Sequence, residues 1–410
     1  MDTTTAAILR DPTQVGATAH LSPSARIFLS VMKRLRSGSL QISFPGGDNF
    51  KLGEAEALPE LMFIKDRAFF TRVLAGGSVG LGEAYVEGLW EAPDVAAVLR
   101  ILAQNQKYLG RVPRGFSLLG RFYNRITHLS RRNTLKNSRR NIEEHYDLSN
   151  DFYECFLDRS MTYSSALFED YYETLEHAQL AKVNRMLDLA DVKSGDSILE
   201  IGSGWGALAI SAVRRGARVK TITLSKEQYA YAKKRFVDAG VEDQIEISLQ
   251  DYRTLSGQYD AVLSCEMIEA VGKSFLPGYF ETIQNALKPG AKAVIQAITI
   301  PDERYESYCR SCDWIQKYIF PGGHLPSPGA IAACVDQAGD IKIESVQGFA
   351  KDYAETLQRW RRNFNTNRER IEALGFDTAF FRKWNYYLAY CEAGFDAGLI
   401  DVRHVAIRRN

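Results

Sequence analysis

The sequence predicts an α/β protein: a seven-stranded, mostly parallel sheet with helices on both faces, preceded by a smaller α+β domain. Three observations predict it. From about Asn141 to the end, short apolar runs alternate with helix-length segments, the order that builds parallel sheets. The first of these runs passes directly into a glycine-rich turn and another helix. Ahead of them, Ser39 to Phe44 alternates with period two, placing Leu40, Ile42 and Phe44 on one face before Pro45-Gly46-Gly47 ends the strand.

In chain order, residues 1–24 read as a tail and 25–110 as the amino-terminal α+β domain. Its second half, Gly76 to Trp90, reads as a glycine-rich connection leading into a helix near Val95 to Gln106. Residues 111–141 form a basic amphipathic segment and linker, in which Phe116, Leu119, Phe122 and Ile126 recur at helical spacing. Between Arg111 and Arg140 there are nine Lys or Arg residues and no acid, while the whole chain is nearly neutral at +1. The segment suits an anionic membrane surface; a solvated surface helix is the alternative.

Residues 142–410 form the third region. A stripe of Leu180, Val183, Leu187 and Ala190 predicts a helix. Strands are expected at Ser197–Ile201, Val219–Thr223, Ile245–Leu249, Asp260–Ser264 and Ala291–Ala297, with Ile341–Val346 and Val402–Ile407 closing the sheet. A second stripe, Tyr353, Leu357, Trp360 and Phe364, reads as core. Some of Phe376, Phe380, Phe381, Trp384, Tyr386, Tyr387 and Tyr390 line either the core or a ligand channel.

Composition excludes several classes. At 410 residues with 45% hydrophobic and 25% charged residues, the chain is neither disordered nor fibrous. No apolar run reaches the roughly 18–20 residues of a membrane span. The first twenty residues do not read as a secretory signal, and six scattered cysteines give no disulfide framework, so a cytoplasmic location is expected. Near-neutral charge gives no reason to expect nucleic acid. Cys309 and Cys312 lack a second ligand pair, and His324 reads as structural or pocket-lining, so no metal is expected.

The cofactor signal is Glu200-Ile-Gly202-Ser-Gly204-Trp-Gly206 at the end of the first strand of the sheet. Glycines there let the backbone turn tightly and approach a ligand at a helix N-terminus. The E-x-G-x-G-x-G spacing differs from the G-x-G-x-x-G of dinucleotide folds, and the next strand ends in Thr223-Leu-Ser225 rather than in an acid for a ribose. Glu200 is placed to meet a methionine ammonium, and Asp251 and Tyr252 follow the third strand as partners for an adenine. These features point to S-adenosylmethionine (SAM).

Together the segments resemble the cyclopropane fatty-acyl-phospholipid synthase family of SAM-dependent methyltransferases. The resemblance is carried by Gly80 to Trp90, by His145-Tyr-Asp-Leu-Ser-Asn-Asp151 and by Met161-Thr-Tyr-Ser-Ser-Ala166. Further on, Cys265-Glu-Met-Ile-Glu-Ala-Val-Gly272, Tyr318 to Gly323, Trp360 to Phe364 and Tyr390 to Phe395 extend it. It implies a Rossmann-like methyltransferase sheet and a cofactor site formed by Tyr163, Ser164, Glu200, Gly202, Gly204, Trp205, Gly206, Thr223, Leu224, Gln228, Asp251 and Tyr252. It also implies one-carbon transfer to unsaturated acyl chains of membrane phospholipids, giving a ring or a C-methylated chain, at the inner face of the membrane. A homodimer is one assembly to test.

The resemblance further implies a bound bicarbonate as base. Its site would comprise Ser165, Glu269, Gln296, Ile298 and Arg361, of which only Glu269 and Ile298 match the family's residues; His145 would lie over the cofactor. Glu269 is expected to orient the base. Two alternatives stand beside this reading. One is methylation of a soluble small molecule; the other is a lipid-binding protein with a decayed site, motivated by Ser165, Gln296 and Arg361.

Overall fold

A computed structural model describes residues 20–110 and 148–410. The Arg111–Arg140 segment and His145 lie outside the described residues. The chain divides into two compact units, one containing the amino-terminal residues together with Thr378–Ala393, the other the remaining residues to Asp377 and Gly394–Asn410.

In the first unit, β1 (Ser39–Ser43), β2 (Asn49–Gly53), β3 (Glu60–Ile64) and β4 (Trp90–Glu91) form a sheet in the order β2-β1-β3-β4. Leu40 and Ile42 are fully buried, and Phe28, Phe44, Phe69 and Phe70 pack around them with ring centroids 4.9–6.4 Å apart. The glycine-rich stretch departs from expectation: it belongs to the helix Ala68–Val86, broken at Gly77, whose φ is 58°. The fold-back brings Gly80 so close to Arg72 that an added Cβ would lie 2.3 Å from its carbonyl oxygen. Gly77 provides the kink and Gly80 the close approach, within a helix instead of between strands. Thr378–Ala393 belongs to this unit: Arg382 donates to the carbonyls of Tyr85 and Trp90 at 2.6 and 2.9 Å, and Phe381, Trp384, Tyr386 and Tyr387 are buried.

In the second unit, β5 (Ser197–Ile201), β6 (Arg218–Thr223), β7 (Ile245–Leu249), β8 (Tyr259–Cys265), β9 (Leu287–Thr299), β10 (Ile341–Gly348) and β11 (Asp401–Arg409) form one seven-stranded sheet, ordered β10-β11-β9-β8-β5-β6-β7. β5 to β9 run parallel. β11 inserts between β9 and β10, antiparallel to both. Apolar side chains cover both faces: Leu199, Ile201 and Val262 on one, Ile198, Ala261 and Leu263 on the other. That two-sided burial is why these strands read as continuous apolar runs.

The helix Leu175–Leu189 forms where its stripe predicts, but Leu180 is 45% exposed. Its inward face carries Val183, Met186 and Leu187 together with the buried polar residues Gln179 and Lys182. Tyr353, Leu357, Trp360 and Phe364 are all buried on the helix Ala350–Thr366. Among the described residues, no helix is long and apolar enough to cross a membrane. All six cysteines are free thiols.

The chain runs from β5 outward through β6 to β7, then crosses back to β8 on the other side of β5. Ligand crevices open at such a reversal, outside the carboxyl ends of the strands. β5–β8 pairing ends at Glu200 and Leu263, and beyond it Ser264 Oγ donates to the Ile201 carbonyl at 3.0 Å.

Candidate active site

A cleft partly open to solvent occupies that reversal. Of the twelve residues expected to hold the cofactor, ten line it: Tyr163, Ser164, Glu200, Gly202, Gly204, Trp205, Thr223, Leu224, Gln228 and Tyr252. Gly206 and Asp251 do not.

The glycine turn has a distinct use for each residue. Gly202 and Ser203 both donate their amides to the Ile222 carbonyl, at 3.0 and 2.9 Å, which clamps the turn to β6. Gly204, with φ of 49°, has open space where a Cβ would sit, so a side chain there would enter the cleft. At Gly206, φ is 90° and a Cβ would lie 2.5 Å from the Phe236 ring. Gly206 therefore permits close packing against the helix that carries Phe236. The helix Ala207–Arg214 starts at that point without a side-chain cap, leaving its first amides directed to the cleft end.

Glu200 is buried, and its Oε2 has no hydrogen-bond partner. Burial pushes its carboxyl up to about 8, against the pull of the nearby Thr221 hydroxyl and then of the Lys182 charge. A buried acceptor without a partner at the lip of a cleft suits a cationic ligand group, and it fits the SAM ammonium. On the next strand, Thr223 Oγ1 donates to Gln228 Oε1 at 3.0 Å, fixing the Gln228 amide in the wall. Asp251 is engaged within its own loop, where its two oxygens accept Arg253 Nε and Nη2 at 2.8 and 2.7 Å. Burial alone would raise its carboxyl, but those Arg253 bonds hold it below the usual range. Tyr252 presents its ring, with burial pushing the phenol up to about 12.

Opposite, Tyr163 and Ser164 lead into a polar cluster that the sequence pattern did not reveal. Lys182 Nζ donates to Ser164 Oγ at 2.5 Å and lies 3.4 Å from Cys265 Sγ. Tyr163 packs against Trp360 with centroids 5.4 Å apart and against Tyr153 at 5.3 Å.

The residues that the resemblance assigns to an anion are brought together only in part. Ser165 and Gln296 are fully buried and meet at one group, the carboxylate of Glu266. Its Oε1 accepts the Ser165 amide at 2.9 Å and Gln296 Nε2 at 2.8 Å, and its Oε2 accepts the Tyr353 hydroxyl at 2.6 Å. Gln296 Oε1 in turn accepts Nε2–H of His404 at 2.8 Å across the β9–β11 register. Burial, then the charges of Arg185 and Lys182, lower His404 to about 3, so its imidazole is neutral. The Glu266 backbone has φ of 50°, a conformation that costs a non-glycine residue about 1–2 kcal/mol.

Glu269 accepts the Ile298 amide at 2.5 Å, and burial, reinforced by the Glu266 charge, raises its carboxyl to about 8. Glu266 lines the cleft; Ser165, Glu269, Gln296, Ile298 and Arg361 do not. Arg361 is half-buried on the helix Ala350–Thr366. His324 is buried, donating its amide to the Glu269 carbonyl at 2.8 Å, with its Nε2 2.9 Å from the Tyr305 hydroxyl. Among the described residues, no cluster of His, Cys, Asp and Glu side chains is placed to hold a metal ion.

Sequence reasoning missed Glu266, Lys182, Tyr353 and His404 as site residues. Glu266 had a signal: it is an acid at the carboxyl end of β8, within the Cys265–Gly272 motif. The others sit in ordinary helix or strand patterns that carry none.

The family model described as mycolic acid cyclopropane synthetase matches residues 133–405. The chain is similar to tuberculostearic acid methyltransferase UfaA1 of Mycobacterium tuberculosis, 42% identical over 351 residues, which are 84% of this chain and 82% of that protein. It is similar to cyclopropane-fatty-acyl-phospholipid synthase of Escherichia coli strain K12, 35% identical over 354 residues, 84% of this chain and 87% of that protein. Among solved structures it resembles mycolic acid cyclopropane synthase CmaA1 complexed with SAH and CTAB, with TM-score 0.63 and 29% identity, covering 66% of this chain and 98% of that one.

Proposed function

The chain belongs to the mycolic acid cyclopropane synthetase family and is a SAM-dependent methyltransferase, and we propose that its acceptor is the double bond of an unsaturated acyl chain carried by a membrane phospholipid. The product is a cyclopropane or a C-methylated chain. Bound SAM supplies the methyl group that the alkene takes up.

The observation that carries this reading is the aromatic wall of the cofactor cleft. Tyr163, Trp205 and Tyr252 line the cleft; Tyr163 is backed by the buried Trp360 with centroids 5.4 Å apart, and Trp360 meets the buried Tyr353 edge-on at 6.2 Å. An isolated alkene is a weak nucleophile, so it must be held in alignment in a dry pocket, and its methylation leaves positive charge on the chain. Aromatic faces stabilise such a cation without capturing it. Glu200 orients the cofactor through its ammonium, and Gly204 keeps the approach clear. The relatives named for tuberculostearic acid and for fatty-acyl phospholipid support an acyl acceptor.

The proposal includes docking on anionic membrane through the basic segment Arg111–Arg140. Expression in a host that makes monounsaturated lipids tests the function. Mass spectrometry of total lipid should show acyl chains heavier by one CH2. A gain confined to soluble amines or other small metabolites would assign the enzyme to the alternative acceptor class.

A further inference from the structure

We infer that Glu266 is the chain's own general base, accepting the proton that the methylated acyl cation must lose and filling the cradle in which a bicarbonate ion was expected. The inference rests on the proposed transfer to an alkene.

The cradle is defined by its donors. Two groups expected to hold a free anion, the Ser165 amide and the Gln296 side chain, already donate to Glu266 Oε1, and the Tyr353 hydroxyl donates to Oε2. Gln296 cannot readily turn its amide away, because its Oε1 is held by His404 Nε2–H. The Glu266 backbone is fixed in its positive-φ conformation by its amide, which donates to the Gln296 carbonyl at 2.8 Å. A second anion would have to displace the half-buried Glu266 carboxylate from every one of these partners. Glu266 lines the cofactor cleft and Glu269 does not; Glu269 Oε1 accepts the Ile298 amide and its Oε2 is buried without a partner. Lys182, buried in the cleft wall, supplies compensating positive charge. Burial raises the Glu266 carboxyl above its ordinary range despite those donors, so it is more basic than a surface carboxylate.

A C–H bond breaks, either on the new methyl, which lies 1,3 to the cationic carbon, or on a chain carbon adjacent to it, and its proton passes to a carboxylate oxygen of Glu266. The bonding pair closes the three-membered ring when the proton comes from the new methyl, or forms a C=C bond when it comes from the chain. Glu266 becomes a neutral acid and returns the proton to solvent after product leaves.

The test uses the full-length protein with SAM and vesicles of monounsaturated phospholipid. Wild-type turnover should be the same in CO2-depleted buffer and with added bicarbonate. Glu266→Gln should lower turnover about a hundredfold or more in both while calorimetry finds SAM affinity nearly unchanged. Glu266→Gly suits the positive φ, so it should fold, and its activity should be restored in a saturable way by bicarbonate or formate. Dependence of the wild type on bicarbonate, or wild-type turnover in a folded Glu266→Gln protein, would overturn the inference. A binding arm needs no lipid: labelled bicarbonate followed by NMR should bind Glu266→Gly and not the wild type, and the reverse, or no binding to either, would overturn it. If the wild type methylates no acyl chain, the proposed function fails, and the binding arm still decides what fills the cradle.

Discussion

Glu200→Gln tests the cofactor site through its proton inventory. The Glu200 carboxyl stands near 8 in the ligand-free protein, against about 4.5 ordinarily, because it is buried with one oxygen unpartnered. A shift of that size corresponds to about 5 kcal/mol for holding the charge without a ligand. At pH 7 about a tenth of the carboxyl groups are ionised, and at pH 6 about a hundredth. If the SAM ammonium pairs with the anion, affinity should be greatest near pH 8, where the carboxyl begins to ionise and an α-amino group is still partly protonated, and should fall about tenfold from pH 7 to pH 6, with about one proton released per SAM bound at pH 6. The sign for stability follows from the same raised value. Between the unfolded and folded pKa the folded state binds more protons, so this group's contribution is largest below about pH 4.5 and is lost as pH rises towards 8. Glu200→Gln should abolish both dependences. Calorimetry in buffers of different ionisation enthalpy counts the protons, and the wild-type minus variant difference isolates Glu200 from Glu269, which titrates in the same range. Equal proton release in the two proteins would refute the pairing.

The two glycines should separate binding from folding. Gly204→Val places its side chain in open cleft and should abolish SAM binding in calorimetry, with circular dichroism and melting reporting a folded protein weakened by only about 1–2 kcal/mol of backbone strain. Gly206→Ala forces a methyl against Phe236 and should lower stability in urea titration by about 1–3 kcal/mol before any effect on ligand. Replacing Arg121, Arg125, Arg131 and Arg132 with Glu should remove co-sedimentation with anionic vesicles, and wild-type binding should weaken as salt rises; salt-independent binding to neutral vesicles would exclude an electrostatic anchor.

Much of the sheet was legible because strands buried on both faces leave a local signal. β5 to β7 lie within a residue of their expected positions, whereas β9 begins earlier, at Leu287. A register shift between Tyr259 and Ala261 accommodates the added residues before Ala291 within the β8–β9 pair. The kinked helix was misread because a glycine packed against a carbonyl looks, in sequence, like a glycine in a turn. The cofactor cleft was legible because its residues follow strand ends in a compact motif. The Glu266 network was not, since its partners lie 30, 87 and 101 residues away, and Tyr353 satisfies the same helical stripe that core packing requires. Leu180 was assigned inward because apolar periodicity has no place for Gln179 and Lys182, which face the site.

The central claim, methyl transfer to the acyl double bond, is tested most directly with purified protein, vesicles of monounsaturated phospholipid and SAM carrying a fully deuterated methyl group. Mass spectrometry of the released fatty acids should find deuterium at the former double bond, with two deuterons retained if the new methyl loses the proton to close a ring and three if the chain loses it. Deuterium in the headgroup, or in no lipid while SAM is consumed on a soluble amine, would contradict the account.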